Sequence, residues 1–203
     1  MNQDQKMSRR ERNKHETRER LLDAASTLFA VRGVIDTTVE EIADAAGVSR
    51  ATFFNYFPGK DVMLAGLHTR HMDLLSAVIS DLLARDLTTE QRIHGLFEDF
   101  VAATEQLPGY LRAVTGELER DLATPEISVG RTERFNDEIL RILEPGLARG
   151  EVRTDYPPRF LAQMIAAVYV STIRYWRQDP EFDLTDGFRK AASYAAESLV
   201  PRD

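Results

Sequence analysis

The chain has 203 residues, 43% of them hydrophobic, and a formal net charge of −7 at pH 7, enough apolar content for one large or two small cores without covalent staples. It contains no cysteine, which removes disulfides, thiolate metal sites and a cysteine nucleophile together and fits a reducing compartment. The longest uncharged run, Phe160 to Ile173, is 14 residues, short of the roughly 20 that span a bilayer, and residues 1–20 are too polar for an export signal; no membrane partner and a cytoplasmic location are expected.

The charge is unevenly distributed. Residues 1–60 hold ten Lys/Arg against nine Asp/Glu, whereas residues 61–203 hold sixteen against twenty-four, so the acidity is C-terminal. Within residues 1–20 seven bases face four acids. The arm of residues 1–14 therefore reads either as a basic segment that tracks phosphates or as a solvated, disordered tail. Leu21, Ala24, Ala25, Leu28 and Phe29 share one face of a first helix, with Arg32 in its last turn and Gly33 as its stop. Thr38-Val39-Glu40-Glu41 is a capping box that starts a short second helix ending near Gly47. Ser49 is placed to cap a third, which must end by Phe57 because the residue before Pro58 is pushed out of helical geometry.

Longer helical segments follow at about 60–84, 88–107, 109–122, 125–149, 157–179 and 183–200, separated by Thr, Pro and Gly signals. The fold class expected is all-α: three short helices over residues 1–58, then a larger helical part over residues 59–203 that begins with the fourth helix.

The chemistry is concentrated in residues 38–57, TVEEIADAAGVSRATFFNYF. Ala43 is small where a following helix must cross closely, Gly47 can take the positive φ that turns the chain, and Val48 and Phe53 lock the two helices. Ser49, Arg50, Thr52, Phe54, Asn55 and Tyr56 remain for the outer face, a set of hydrogen-bonding groups and rings suited to a DNA major groove. A plain three-helix fragment would have no reason to gather Arg50, Thr52, Asn55, Tyr56 and Lys60 on one exposed side.

With these residues in view, GVSRATFFNYFPGKDVML and the preceding TTVEEIADAAG resemble the recognition signature of TetR/AcrR-family regulators, strongly over about residues 15–65 and in architecture beyond. The resemblance implies a homodimeric repressor, with an N-terminal three-helix helix-turn-helix DNA-binding domain over residues 1–58 and a helical ligand-binding and dimerisation domain over residues 59–203, that leaves a palindromic double-stranded DNA operator when an unknown small-molecule effector binds. It also implies backbone-contacting helix starts at Thr38 and Ser49, groove-facing residues Arg50, Ala51, Thr52, Asn55 and Tyr56, and a phosphate-binding Lys60. Phe54 departs from the family's usual tyrosine and loses one hydroxyl hydrogen bond while keeping its ring contact. An activator, or an architectural DNA-binding protein without an effector, is the alternative; no paired-carboxylate, nucleophile-base or glycine-rich phosphate motif supports an enzyme, and no cofactor is called for.

Other constellations are less specific. His68 and His71, three apart on the fourth helix, have the spacing of two metal ligands but lack an evident third, and His71 also sits on an apolar stripe. Phe97, Phe100, Tyr110, Phe135 and Tyr169, with Glu117 and Arg174 as polar anchors, either line an effector pocket or fill the core. Val168 and the face formed by Phe188, Ala191, Ala192, Ala195 and Leu199 are expected at a two-fold seam of four helices, although a monomer could bury the same face.

Overall fold

The computed structural model describes residues 8–106, 108–116 and 125–201, which form nine α-helices and no strand. The first, α1 (Arg9–Arg32), begins well before the expected apolar face. Ser8 and Glu11 form a capping box, with the Ser8 N–H donating to Glu11 at 2.7 Å and the Glu11 N–H to the Ser8 hydroxyl at 3.2 Å. From Arg9 onward, the segment expected as arm or tail is therefore helical. α1 stops at Gly33, whose φ of 78° is open to glycine without strain.

Thr38 caps α2 (Val39–Ala45), and Ser49 caps α3 (Arg50–Tyr56) by accepting from the Thr52 N–H at 3.1 Å. Between them Gly47 sits at φ 66° and the Val48 N–H returns to the Ala43 carbonyl at 2.9 Å, closing the short turn. Two longer helices follow, α4 (Lys60–Ala84) and α5 (Thr89–Gln106), then α6 (Pro108–Thr115); residues 117–122 of the segment expected at 109–122 lie outside the described residues. The last three are α7 (Pro125–Arg149), α8 (Pro158–Gln178) and α9 (Leu184–Leu199).

The described residues divide into two compact units. The first contains α1 to α3, the start of α4 through Arg70, and α6. Its core is Leu21, Leu22, Ala25, Phe29, Ile42, Ala43, Phe53, Phe57, Met63 and Leu67, all nearly inaccessible to solvent. This unit runs past residue 58 because Met63 and Leu67 of α4 are part of that set and Leu64 is buried beside them. It also recruits α6, which approaches α1 so closely that a Cβ on Gly109 would lie 1.9 Å from the Ala30 carbonyl oxygen. The second unit contains the rest of α4 from His71, with α5, α7, α8 and α9. Its closest pairings are α5 with α9 and α7 with α8.

Candidate nucleic-acid interface

The helix-turn-helix is held by its own caps. Glu41 accepts from the Thr38 N–H at 2.8 Å while Thr38 Oγ1 accepts from the Glu41 N–H at 3.2 Å. Arg32 at the end of α1 also binds Glu41, 2.5 Å away. The backbone bond from Thr38 is the main reason the Glu41 carboxyl is held below the usual carboxylate range. Phe53 on α3 and Phe57 just after its end are buried, leaving Arg50, Ala51, Phe54 and Asn55 exposed at one-, three- and four-residue spacings, with Thr52 and Tyr56 half-buried at the edges. The exposed residues form one helix face.

Thr38 and Ser49 are exposed at their helix starts, Thr38 engaged with Glu41 and Ser49 with Thr52. Arg50 pairs with Glu40 of α2 at 2.9 Å and lies 5.5 Å from the centre of the Phe54 ring. Phe54, 41% exposed, meets Phe53 edge-to-face at 5.5 Å. The missing tyrosine hydroxyl thus leaves a ring that supports Arg50 from below.

Lys60 is placed differently from the role implied by the resemblance. Its ammonium donates to the carbonyls of Val34 and Thr37 at 2.8 Å and of Ile35 at 3.4 Å. An ammonium has three N–H donors, and here three carbonyls of the α1–α2 loop engage them. Lys60 ties that loop to the start of α4 rather than standing free for a phosphate.

The ring residues expected around an effector come together only in part. Phe97, Phe100 and Phe135 lie 5.0, 5.8 and 5.3 Å from Tyr169, and Phe188 stacks on Phe100 at 4.7 Å. Phe97, Phe100 and Tyr169 are at most 4% exposed, so these rings fill a core. Arg174 is exposed and outside the cluster. Tyr110 lies on α6 in the first unit, beside Arg70, where burial pushes its hydroxyl pKa up. Glu117 lies outside the described residues. Burial also pushes the Asp99 carboxyl and the Tyr169 hydroxyl up, and brings His71 down to about 4. Asp99 carries no periodic signal that sequence reading could use. Beside this cluster a groove of about 230 Å³ runs between α5 and α9, lined by Phe97, Val101, Phe188 and Ala192 among others.

The expected seam on α9 requires correction. Phe188, Ala192, Ala195 and Leu199 are no more than 3% exposed within a single chain. This face packs within the chain, where α5 is the closest partner of α9. Val168 and Ala191 are half-buried. What α8 and α9 leave outward is a different set, Phe160, Met164 and Tyr175 on α8 and Tyr194 on α9, between 40% and 66% exposed. His68 is buried in the first unit and His71 half-buried in the second, and among the described residues no group of three His, Cys, Asp or Glu side chains could hold a metal ion. No helix among these residues is long and apolar enough to cross a membrane.

A short helix pair locked at a glycine turn, with one polar face outward, defines a helix-turn-helix DNA-binding protein. The family model for bacterial regulatory proteins of the tetR family matches residues 21–67. The structure of Thermus thermophilus FadR, a TetR family transcriptional repressor in complex with lauroyl-CoA, is 30% identical, covers 92% of this chain and 96% of its own, and superposes with a TM-score of 0.73. The transcriptional repressor KstR2 of Mycobacterium tuberculosis is 26% identical over 77% of this chain and 80% of its own length. The transcriptional activator FasR of Mycolicibacterium smegmatis is 28% identical over 79% and 72%. The chain belongs to the TetR family of DNA-binding transcriptional regulators.

Proposed function

We propose that the chain is a homodimeric repressor that binds a palindromic operator through α3 and is released by a small molecule bound among the helices of residues 59–203, with residues 1–58 as its DNA-binding domain. The observation that carries this reading is the exposed face of Arg50, Ala51, Phe54 and Asn55 on a helix anchored from the opposite side by the fully buried Phe53. Thr38, Ser49, Thr52 and Tyr56 border that face and are its candidate backbone contacts. A helix of this kind reads base edges in the major groove, Asn suiting adenine and Arg guanine. Such a protein works in the cytoplasm and needs no catalytic chemistry.

Dimerisation supplies the second half-site. Phe160, Met164 and Tyr175 recur along α8 at intervals of four and eleven residues and form one outward apolar stripe, beside Tyr194 on α9. We assign the two-fold contact to this stripe. A long-chain acyl-CoA is the first effector class to test, because the relative with 30% identity is in complex with lauroyl-CoA. Effector binding would act as a population shift between DNA-competent and DNA-incompetent states. We assign the coupling to α4, whose residues are divided between the two units.

The test is selection of an operator from a random duplex library with the full chain, followed by titration with lauroyl-CoA. Recovery of a palindrome whose affinity falls on adding the thioester supports the reading. Enrichment of no sequence removes operator binding, and a palindrome insensitive to acyl-CoA removes that effector class alone. The activator FasR among the relatives keeps activation as the second reading, which a reporter placed behind the selected operator separates from repression.

A further inference from the structure

The groove between α5 and α9 combines an apolar lining with an unbalanced charge. Two rings, Phe97 and Phe188, line it together with Val101 and Ala192, and they continue inward to Tyr169 and Phe100. From α5 it also receives Glu98, Ala102 and Glu105, all exposed and all on one side of the helix at four- and three-residue spacing. Neither glutamate forms an ion pair or hydrogen bond among the described residues. The cation that α9 contributes, Arg189, is already answered by Asp186. His94 and Thr185 complete the lining. Two uncompensated carboxylates therefore stand beside an apolar surface.

Size limits what the groove can take. Its volume of about 230 Å³ exceeds the roughly 150 Å³ in which an engineered apolar cavity binds benzene, and falls short of the roughly 300–1,000 Å³ of sites for drug-sized ligands. One aromatic ring with a small polar head fits this range, whereas a long acyl chain does not. Ala102 lies between the two glutamates, so a charge seated over it is within about 6 Å along the helix axis of either one. A large side chain at that position would fill the gap. On α9, Thr185 and Ala192 are nine and two residues from Tyr194, about half a turn round the helix. The two-fold contact assigned above therefore leaves the groove open.

We propose that this groove is a second ligand site, which takes a small aromatic cation: a single ring carrying an ammonium group, with the ring against Phe97 and Phe188 and the charge between Glu98 and Glu105. Burial of the ring supplies the attraction. The two carboxylates select the sign of the charge, since they repel carboxylates and phosphates of the same size. The site goes beyond the effector reading above, which concerns a larger, anionic thioester, and it depends on neither that reading nor the one for DNA. Its occupant would be felt deeper in the core, because Phe97 meets Tyr169 at 5.0 Å and Phe188 stacks on Phe100 at 4.7 Å.

The test is a ligand-observed NMR titration of the full chain with benzyltrimethylammonium, which joins one ring to one fixed positive charge. Saturable one-to-one binding with a Kd on the order of 1 mM is expected for a ligand of this size. Glu98→Gln combined with Glu105→Gln should weaken it about three- to tenfold through the loss of two exposed charge contacts, and Ala102→Phe should abolish it by filling the gap. Both glutamates are exposed, so the double variant decides the matter even where Ala102→Phe fails to fold. Benzenesulfonate, the same ring with the opposite charge, and tetramethylammonium, the charge without the ring, should each bind about tenfold more weakly or worse. Wild-type chain that shows no saturable binding would overturn the site. Affinity unchanged in the double variant would place the ligand elsewhere and overturn it too. Equal affinity for benzenesulfonate would remove the selection for a cation, and equal affinity for tetramethylammonium would leave the rings without a role; either result refutes the proposal.

Discussion

Lys60→Met should cost fold stability and leave the salt dependence of DNA binding alone. The substitution keeps most of the aliphatic stem and removes the ammonium that three carbonyls share. Two of its hydrogen bonds are 2.8 Å long and the third 3.4 Å. A hydrogen bond to a charged group contributes about 1.5–3 kcal/mol. Lys60 is only half-buried, so water can take over part of this role, and a loss of about 2–3 kcal/mol for the set is expected. For a chain of this size each kcal/mol moves the melting temperature by about 2–4 °C, which gives a drop of roughly 5–10 °C in a thermal scan without DNA. The salt slope on a random-sequence duplex should stay at its wild-type value, because no phosphate partner has been removed. The opposite pattern, an unmoved melting temperature with a slope lower by about one unit, would mean that Lys60 leaves the loop for a phosphate and that the carbonyl clamp holds little.

Glu40→Gln should raise DNA affinity about two- to fivefold in a fluorescence titration, because it frees Arg50 from an exposed pair worth at most about 1 kcal/mol; weaker binding would show that Glu40 orients Arg50 for reading. Ala195→Glu should destabilise the α5–α9 packing by several kcal/mol, since it forces an unpaired carboxylate into a fully buried position, whereas Tyr194→Glu should leave the melting of the separated chain unchanged and yield monomers in sedimentation. Dimers that survive Tyr194→Glu would move the interface elsewhere. His71 is held at about 4 by burial, below the ordinary value of 6.5. Between those limits the unfolded chain takes a proton that the folded chain refuses, so stability falls as pH drops through this window, by about 1–3 kcal/mol. Urea unfolding of His71→Leu should show a smaller loss over the same window; parallel curves for variant and wild type would remove His71 as the source. Asp99, whose pKa is raised by burial, works in the opposite direction.

Local signals carried the first unit because each sits within a few residues of what it controls. Ser49 caps its own helix, Gly47 turns its own loop and Glu41 answers Thr38 three residues away. Face-level expectations fared less well. The run Phe188, Ala191, Ala192, Ala195 and Leu199 identifies a helix side that another helix must approach closely, but periodicity carries no label for which chain supplies that helix. α5 of the same chain does. Lys60 shows the same limit in another form. Its sequence context resembles a phosphate site, while its partners lie between 23 and 26 residues upstream, in a loop whose backbone geometry has no sequence signature. The helical start at Ser8 was legible in principle, since Ser-x-x-Glu is a capping box, but the absence of an apolar face in residues 9–16 conceals it from any reading based on periodicity.

A chain of net charge −7 still meets a polyanion favourably if its acids are turned away from the contact or engaged within the fold. In the first unit Glu11 and Glu41 are bound at helix starts, and Glu19 and Asp23 are bound by Arg70. Glu40 is different, because it sits beside the reading face and holds Arg50 through an exposed pair. Until DNA arrives that pair keeps the guanidinium in a defined place over Phe54, and on arrival a base edge must replace Glu40 as its partner. An adjacent carboxylate also disfavours phosphate at that spot. Weak binding to arbitrary sequence is the expected consequence, with tight binding reserved for duplexes that offer Arg50 a bidentate partner such as guanine. The ratio of selected-operator to random-duplex affinity should therefore shrink in Glu40→Gln even as both affinities rise. A ratio that stays constant would show that Glu40 contributes charge alone and has no part in discrimination.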